Sequence, residues 1–361
     1  MSLWVVVGGQ YGSEGKGKVS ALIAEQEEID MCVRCGGPNS GHSFILDGGP
    51  RILLRQLPTA VILPRTRLLV PAGALVDLSV LRKEITDFRL DSRRVGVDRN
   101  AMIVEDADRD AEERLGMRER LSSTLSGVGA AVARRALRKQ DVRLAGHVDE
   151  PWLRALITDV AEECNRGLDR GQKVLIEGTQ GFGLSLYQSE FYPKATSRDT
   201  TAAGFLSEVG LSPRRVKEIV VVFRTFPIRV AGEQAGVLRD EIDWETVQRE
   251  SAYPTALCEY TTVTQKVRRV SRFDWFLARR AVDVNRPTRI AVMGFDYLDY
   301  RNYRKTSLDD LGDNSARFVQ RFGIEIGSIS YAGTGPDLHD VCCRPFSQAA
   351  YSEPLSSSAR A

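Results

Sequence analysis

The chain is short of histidine, cysteine, net charge and long apolar runs, and each shortage removes a class of function. Only three histidines (His42, His147 and His339) and six cysteines occur in 361 residues. Cys32 and Cys35 form one CxxC with no second pair at zinc-ribbon spacing, so neither a zinc framework nor a disulfide scaffold is indicated. That cysteine usage suits a reducing compartment, and a cytoplasmic protein is expected. Fifty Lys plus Arg against 48 Asp plus Glu leave a formal charge of +2, too balanced for nucleic acid or a membrane surface to be held by bulk electrostatics. Any anion site has to be local. No stretch approaches the roughly 18–20 apolar residues that span a bilayer. The opening MSLWVVVGGQYGSEGKGK reads as a strand breaking into glycines, not as a leader.

Hydrophobic residues at 42% and charged residues at 27% are ordinary globular usage. The pattern predicts a buried strand at 3–7, a helix at about 15–26 and a second strand at 31–34. Apolar runs at 67–70, 173–176, 216–223 and 289–293 alternate with helical stretches such as 152–169 and 272–284. The fold class is therefore α/β, a central mostly parallel sheet with flanking helices. No linker composition interrupts residues 1–345, so one elaborated catalytic domain is expected, with a small polar tail at 346–361. Within the charge-rich segment 87–140, DADRDAEERLGMRERL mixes both signs and suggests a solvated helical face.

Two glycine clusters carry the chemistry. Gly8, Gly9, Gly12, Gly15 and Gly17 follow the first strand and open a helix that also holds Lys16 and Lys18. Glycines let backbone N–H groups converge on phosphate oxygens, and the helix N-terminus and a lysine offset the remaining charge. The strict GxxxxGK[ST] pattern fails, because Lys16 is followed by Gly17. The second cluster, RCGGPNSGHSF, sets Asn39, Gly41, His42 and Ser43 after the second strand, where a histidine among glycines is well placed for proton transfer.

Together GGQYGSEGKGK and GGPNSGHSF resemble the two signature loops of the adenylosuccinate synthetase family, whose members join aspartate to the 6-position of IMP using GTP. EGTQG at 177–181, YPKATSRDTTA at 192–202 and GTGPD at 333–337 resemble further family blocks in the same order. The resemblance implies that a phosphate is first placed on the purine 6-oxygen and is then displaced by the aspartate amine. It implies Mg²⁺, a P-loop-like fold and a homodimer. Gly12, Gly15, Lys16, Gly17, Lys18, Gly41 and Ser43 would hold the nucleoside triphosphate, with Lys16 also catalytic. Asn39, Thr124, Gln180 and Thr196 would bind the nucleotide substrate, and Arg134 would reach its phosphate from the neighbouring subunit. His42 would stabilise or protonate the 6-oxygen, and the Gly41 carbonyl would contribute to the metal site. Asp296 and the Gly333-Thr334-Gly335 turn would lie by the donor base or ribose.

Departures from the family pattern redirect the substrate. The family aspartate that removes the N1 proton and ligates Mg²⁺ is Ser13 here, and a hydroxyl cannot serve as a resting base at neutral pH. The shorter side chain leaves space for a 2-amino group. Serine there is similar to the viral diaminopurine branch of the family, which joins aspartate to dGMP, so dGMP is expected in place of IMP. Ser13 then belongs to the catalytic, nucleotide and metal positions together. The guanine-reading Lys of the family is Gly294 beside a retained Asp296, which favours ATP or dATP over GTP as donor. The aspartate loop reads Val263-Thr264-Gln265-Lys266-Val267-Arg268-Arg269. Val263, Thr264, Lys266 and Arg268 are its candidate ligands, Arg268 the best bidentate fork, while Lys266 also replaces an arginine that reaches the nucleotide sugar. Ser126 stands where an arginine is usual. The rival readings are an ordinary IMP-using synthetase, a catalytically silent nucleotide-binding homologue and a regulatory NTPase.

Overall fold

The computed structural model describes residues 2–261 and 265–343, so the expected tail at 346–361 lies outside the described residues. Its centre is a ten-stranded sheet. In chain order the strands are β1 Leu3–Gly8, β2 Met31–Arg34, β3 Arg67–Val70, β4 Val95–Asp98, β5 Ile157–Thr158, β6 Val174–Glu177, β7 Val216–Arg224, β8 Arg289–Met293, β9 Tyr331–Gly333 and β10 Val341–Cys343. Across the sheet they run β10-β9-β8-β7-β1-β6-β2-β3-β4-β5. Every pairing is parallel except β9 with β10.

Strands buried on both faces need apolar residues at every position. In β1, Leu3, Val5 and Val7 join the core on one face, while Trp4 and Val6 join the core on the other. The same alternation separates the CxxC cysteines. Cys32 packs into one core layer and Cys35 into the opposite one, and burial pushes both thiols well above the usual range. They cannot share a metal or a disulfide across the sheet.

The sequence expectation of one helix at 152–169 is corrected. Pro151–Arg154 makes a single turn, Ile157–Thr158 becomes an edge strand, and a new helix spans Val160–Asp169. The β-branched pair registers on Val97 and Asp98 of β4, and Asp159 then caps the next helix by accepting from Glu162 N at 2.9 Å. The turns after β1, β2, β6, β7, β8 and β9 all open at the C-terminal edge of the parallel strands, the edge where such sheets place ligands. A hairpin, His42–Ile45 with Arg51–Leu54, stands over that edge.

Candidate active site

The glycine loop turns out of β1 and into helix α1 (Lys16–Gln26). Gly12, Ser13 and Gly15 all lie in the left-handed region, with φ of 88°, 60° and 96°, so the serine holds a conformation that favours glycine. Gly15 is the N-cap of α1 and brings no side-chain cap, which leaves the first-turn N–H groups for an anion. Gly17 is required for packing: a Cβ there would lie 2.6 Å from His42 Cβ. The loop already holds one anionic group. The Glu14 carboxylate accepts from Gln10 N at 3.1 Å and Gly12 N at 2.8 Å, and pairs with Lys16 Nζ at 2.6 Å. Lys16 also donates to the Gln180 carbonyl.

Beside this loop lies a cavity of about 330 Å³. Of the residues expected from sequence, it brings together Gly12, Ser13, Lys16, Asn39, Gly41 and His42 with Thr124, Gln180, Thr196, Lys266 and Arg268. Arg268 donates to Ser13 Oγ, and Arg224 donates to the Ser13 carbonyl at 3.1 Å while pairing with Glu259 at 2.7 Å. The neighbouring cations are otherwise committed: Arg269 pairs with Glu241 and Arg272 with Glu250. Val263 and Thr264 lie outside the described residues.

His42 begins the hairpin and is fixed from behind. Its Nδ1 lies 2.5 Å from Glu177 Oε1, and the guanidinium of Arg34 contacts both of them, reaching Glu177 at 2.6 Å. The other Glu177 oxygen accepts from Thr59 N at 2.8 Å and Thr59 Oγ1 at 2.7 Å. Burial, and then the Arg34 charge, lower the His42 pKa to about 3. Burial alone would raise Glu177, but the bonds and charges of His42, Arg34 and Thr59 hold it down at about 2.

The charged segment read as a solvated helical face is helical and largely exposed, but one side of it turns inward. It folds into α2 (Asp106–Arg114) and α3 (Met117–Leu121), and its Asp108 and Glu112 are buried. Met117, Arg118 and Leu121 line the cavity, as does Glu112. The Glu112 carboxylate accepts from Gly127 N at 3.0 Å and Gly129 N at 2.7 Å, capping α4 (Val128–Ala136) and fixing the 122–126 turn. That turn supplies hydroxyls: Ser122, Ser123, Thr124 and Ser126 all line the cavity, and Thr124 Oγ1 meets Ser126 Oγ at 2.9 Å. Across the cavity Arg229 lies 4.5 Å over the Tyr11 ring and donates to the Lys194 and Val237 carbonyls, both at 2.9 Å.

The remaining expected donor residues gather apart from this cavity, at the ends of β8 and β9. Lys18 donates to Gly335 O at 2.8 Å and Asp340 O at 2.9 Å, and burial lowers its pKa to about 8 against the pull of Asp340 and Asp296. Asp296 is buried, and burial raises its carboxyl to about 6. Gly294 is left-handed at φ 86°, Thr334 Oγ1 donates to Lys305 O at 2.8 Å, and a Cβ on Gly333 would meet Met293 Sδ at 2.4 Å. Ser43 sits in the hairpin, and the next turn of that hairpin is tied to the Gly335 segment. Ile45 N donates to Pro336 O at 3.2 Å, Leu338 N to Ile45 O at 2.7 Å, and Gly48 N to Asp337 Oδ2 at 2.8 Å. Arg134 does not line the cavity; it pairs with Glu105 at 2.9 Å and Asp108 at 2.8 Å.

Sequence reasoning did not assign Glu177, Arg34, Glu112, Arg118, Tyr11, Arg229, Arg224 or Glu259. For two of them a signal was present: Glu177 and Arg34 each end an otherwise apolar strand, VLIE and MCVR, where a charge demands a partner. As for a divalent metal, Gly41 and Ser13 both line the cavity, and Ser13 Oγ receives the Arg268 guanidinium. With no carboxylate free at this point among the described residues, the donors present fit a Mg²⁺ held chiefly by phosphate oxygens.

Comparisons with known proteins agree on one family. Its sequence model, described as adenylosuccinate synthetase, matches residues 5–166 and 149–305. The adenylosuccinate synthetase of Pyrococcus horikoshii is 39% identical over 349 residues, covering 94% of this chain and 98% of its own. That of Methanocaldococcus jannaschii is 38% identical over 346 residues, covering 93% and 95%. Among solved structures, cyanophage S-2L succinoaminodeoxyadenylate synthetase, bound to dGMP and dATP as an energy donor, superposes with a TM-score of 0.80 at 26% identity, over 96% of each chain. Fully ligated adenylosuccinate synthetase from Plasmodium falciparum superposes at 0.82 and 19% identity, over 96% of this chain and 100% of that one.

Proposed function

Because the chain belongs to the adenylosuccinate synthetase family, and so is a carbon–nitrogen ligase that joins aspartate to a nucleotide with a nucleoside triphosphate and Mg²⁺, we propose that its nucleotide is dGMP and its product N6-succino-2-amino-2'-deoxyadenylate. The observation that carries this reading is Ser13: a small hydroxyl, its Oγ bonded to Arg268, on the cavity wall where the family's carboxylate would stand. A carboxylate would crowd nothing on hypoxanthine, which has only hydrogen at C2, but its extra bulk would clash with the exocyclic amine that guanine adds there. The likeness to a cyanophage enzyme solved with dGMP supports the same choice.

In this reading N1 gives up its proton to solvent as the purine 6-oxygen attacks the γ-phosphorus, an O–P bond forms and the nucleoside diphosphate leaves. The neutral aspartate amine then attacks C6, the C–N bond forms, phosphate departs with the C6–O bond, and the amine releases one proton to solvent or to the departing phosphate. The loop N–H groups and Lys16 receive phosphate oxygens, with Glu14 giving up its place in the cradle. Mg²⁺, when bound, offsets charge on the phosphates. Asn39, Thr124, Gln180 and Thr196 hold the nucleotide, Lys266 reaches its sugar, and Arg268 forks onto an aspartate carboxylate. Lys18, Asp296 and the 333–335 turn serve the donor, ATP or dATP before GTP. Arg134 crosses to the neighbouring subunit of a homodimer. All six cysteines are free thiols, which supports a reducing, cytoplasmic setting, and among the described residues no helix is long and apolar enough to cross a membrane.

A second reading, IMP with GTP, is favoured by the archaeal relatives, which are 38–39% identical and carry the ordinary synthetase name. One assay separates the two. The enzyme is incubated with ATP, dATP or GTP, with dGMP or IMP, and with or without aspartate, and succino-purines are read by mass spectrometry. Product from dGMP alone supports the proposal, and product from IMP alone refutes it. Triphosphate hydrolysis without product marks an NTPase, and binding without turnover a silent homologue.

A further inference from the structure

We propose that Lys194, with Arg118 at the rim of the cavity, binds the 5'-phosphate of the nucleotide from within the same subunit. The inference rests on the family activity, which brings a nucleoside monophosphate to this cavity, and deepens that reading by naming the cations that meet the phosphate.

The charge of the cavity lining is one-sided. Lys16, Arg118, Lys194, Arg229, Lys266 and Arg268 line it with a single carboxylate, Glu112, and Glu112 already accepts from Gly127 N and Gly129 N. A cleft with one sign of charge concentrates ligands of the other. Lys16 pairs with Glu14, Arg268 is bonded to Ser13, and the buried Arg229 is committed to two carbonyls and the Tyr11 ring. Lys266 has its place at the sugar in the proposed reading. Lys194 and Arg118 are the cations that no part of that reading uses, and among the described residues neither is paired with a carboxylate.

Lys194 is half-buried and donates to two neutral acceptors, Arg120 O and, at 3.1 Å, Gln234 Oε1. An ammonium has three N–H donors, so one remains for a ligand. The bond to Arg120 O fixes the lysine against the end of α3, two residues before the turn whose Ser122, Ser123, Thr124 and Ser126 line the cavity. Two glycines permit the approach: a Cβ on Gly236 would lie 2.8 Å from Lys194 Cβ, and one on Gly232 2.9 Å from Ser122 Oγ. Thr196, two residues beyond the lysine, adds another hydroxyl to the lining.

Hydroxyls grouped near an ammonium suit phosphate oxygens, which only accept. The hydroxyls carry no charge, so the cation has to supply it. Within one subunit Arg134 stays outside the cavity, matched by Glu105 and Asp108, and position 126 is a serine. The counter-charge inside the chain therefore falls to Lys194 and, at the rim, to the exposed Arg118.

The test compares each nucleotide with its own nucleoside. Calorimetric affinities of the whole enzyme for dGMP and deoxyguanosine, and for IMP and inosine, isolate the phosphate's share of binding whichever base is preferred. In Lys194→Met the nucleotide is expected to bind at least about tenfold more weakly, the scale of one charged hydrogen bond, with nucleoside affinity changed less than about twofold. Lys194→Arg, which keeps the charge, should recover most of that loss. Equal weakening of nucleotide and nucleoside would mark a structural role and overturn the proposal. So would a Lys194→Met enzyme whose KM rises for aspartate and not for nucleotide. Arg118→Met is the companion should the lysine variant fold poorly, since the exposed Arg118 has no carboxylate to leave behind; nucleotide affinity alone should fall about threefold, as for an exposed ion pair, and unchanged affinity in that case overturns the proposal as well. A preference for IMP over dGMP in these titrations would count against the dGMP reading and leave the Lys194 comparison intact, so the two fail separately.

Discussion

Ser13 and Arg268, 255 residues apart, are joined by a hydrogen bond from the Arg268 guanidinium to the Ser13 hydroxyl. The contact ties the segment that carries Arg268 to the glycine loop, and Arg224 braces the same residue through its carbonyl. Ser13→Asp would turn this neutral contact into an ion pair and fill the wall of the cavity. The variant is expected to gain turnover of IMP and to lose at least about tenfold in kcat/KM for dGMP, about 1.4 kcal/mol of transition-state binding. Initial rates with the two nucleotides decide it; unchanged dGMP kinetics with no IMP activity would defeat the steric explanation.

Glu112 accounts for the N–H groups of Gly127 and Gly129 at once. Glu112→Ala leaves both without that acceptor and is expected to cost about 2 kcal/mol of stability. It should also raise KM for nucleotide, because Thr124 and Ser126 lie on the turn that this carboxylate fixes. Thermal unfolding and steady-state kinetics on the same sample test the pair of effects. A normal melting temperature would show that the carboxylate does not hold the turn.

Lys18 is lowered to about 8 chiefly by burial, so it is charged at pH 7 and mostly neutral at pH 9. If it serves the triphosphate, KM for the donor should rise about tenfold over that interval, following loss of the protonated form. A flat donor KM in Lys18→Met over the same range is the control. A donor KM in the wild type that ignores pH removes Lys18 from the donor site.

Asp296 binds its proton more tightly in the folded state than the ordinary 3.8, at about 6, because it is buried. Between about pH 4 and pH 6 the folded chain therefore holds the extra proton, and stability declines as pH rises through that window, by up to about 3 kcal/mol. Asp296→Asn should flatten this part of the stability curve. The same variant should narrow any preference among ATP, dATP and GTP, measured as the ratio of their initial rates.

Much of the sheet was legible because its strands are runs of apolar residues with a charge only at one end: Met31–Arg34, Arg67–Val70 and Arg289–Met293 fall where the sequence pattern puts them. The glycine loop was legible for a similar reason, since only a close backbone approach explains so many glycines between a strand and a helix. Glu112 was not. A carboxylate in a mixed-charge helix reads the same whether it faces water or caps another helix fifteen residues on. Nor was the Arg34–Glu177 pair, whose members lie 143 residues apart and meet only because β2 and β6 are neighbours in the sheet. The edge strand at Ile157–Thr158 was hidden by its brevity: two extended residues between helical ones leave no period to detect.

The bonds that stitch Ile45 and Gly48 to Pro336, Asp337 and Leu338 give the hairpin and the far strand a common lever arm. His42 begins that hairpin and Gly335 precedes that stitch, so a displacement at one end travels to the other through backbone. If the 333–335 turn holds the energy donor as proposed, whatever steadies that turn on binding should also steady the histidine, and the reverse.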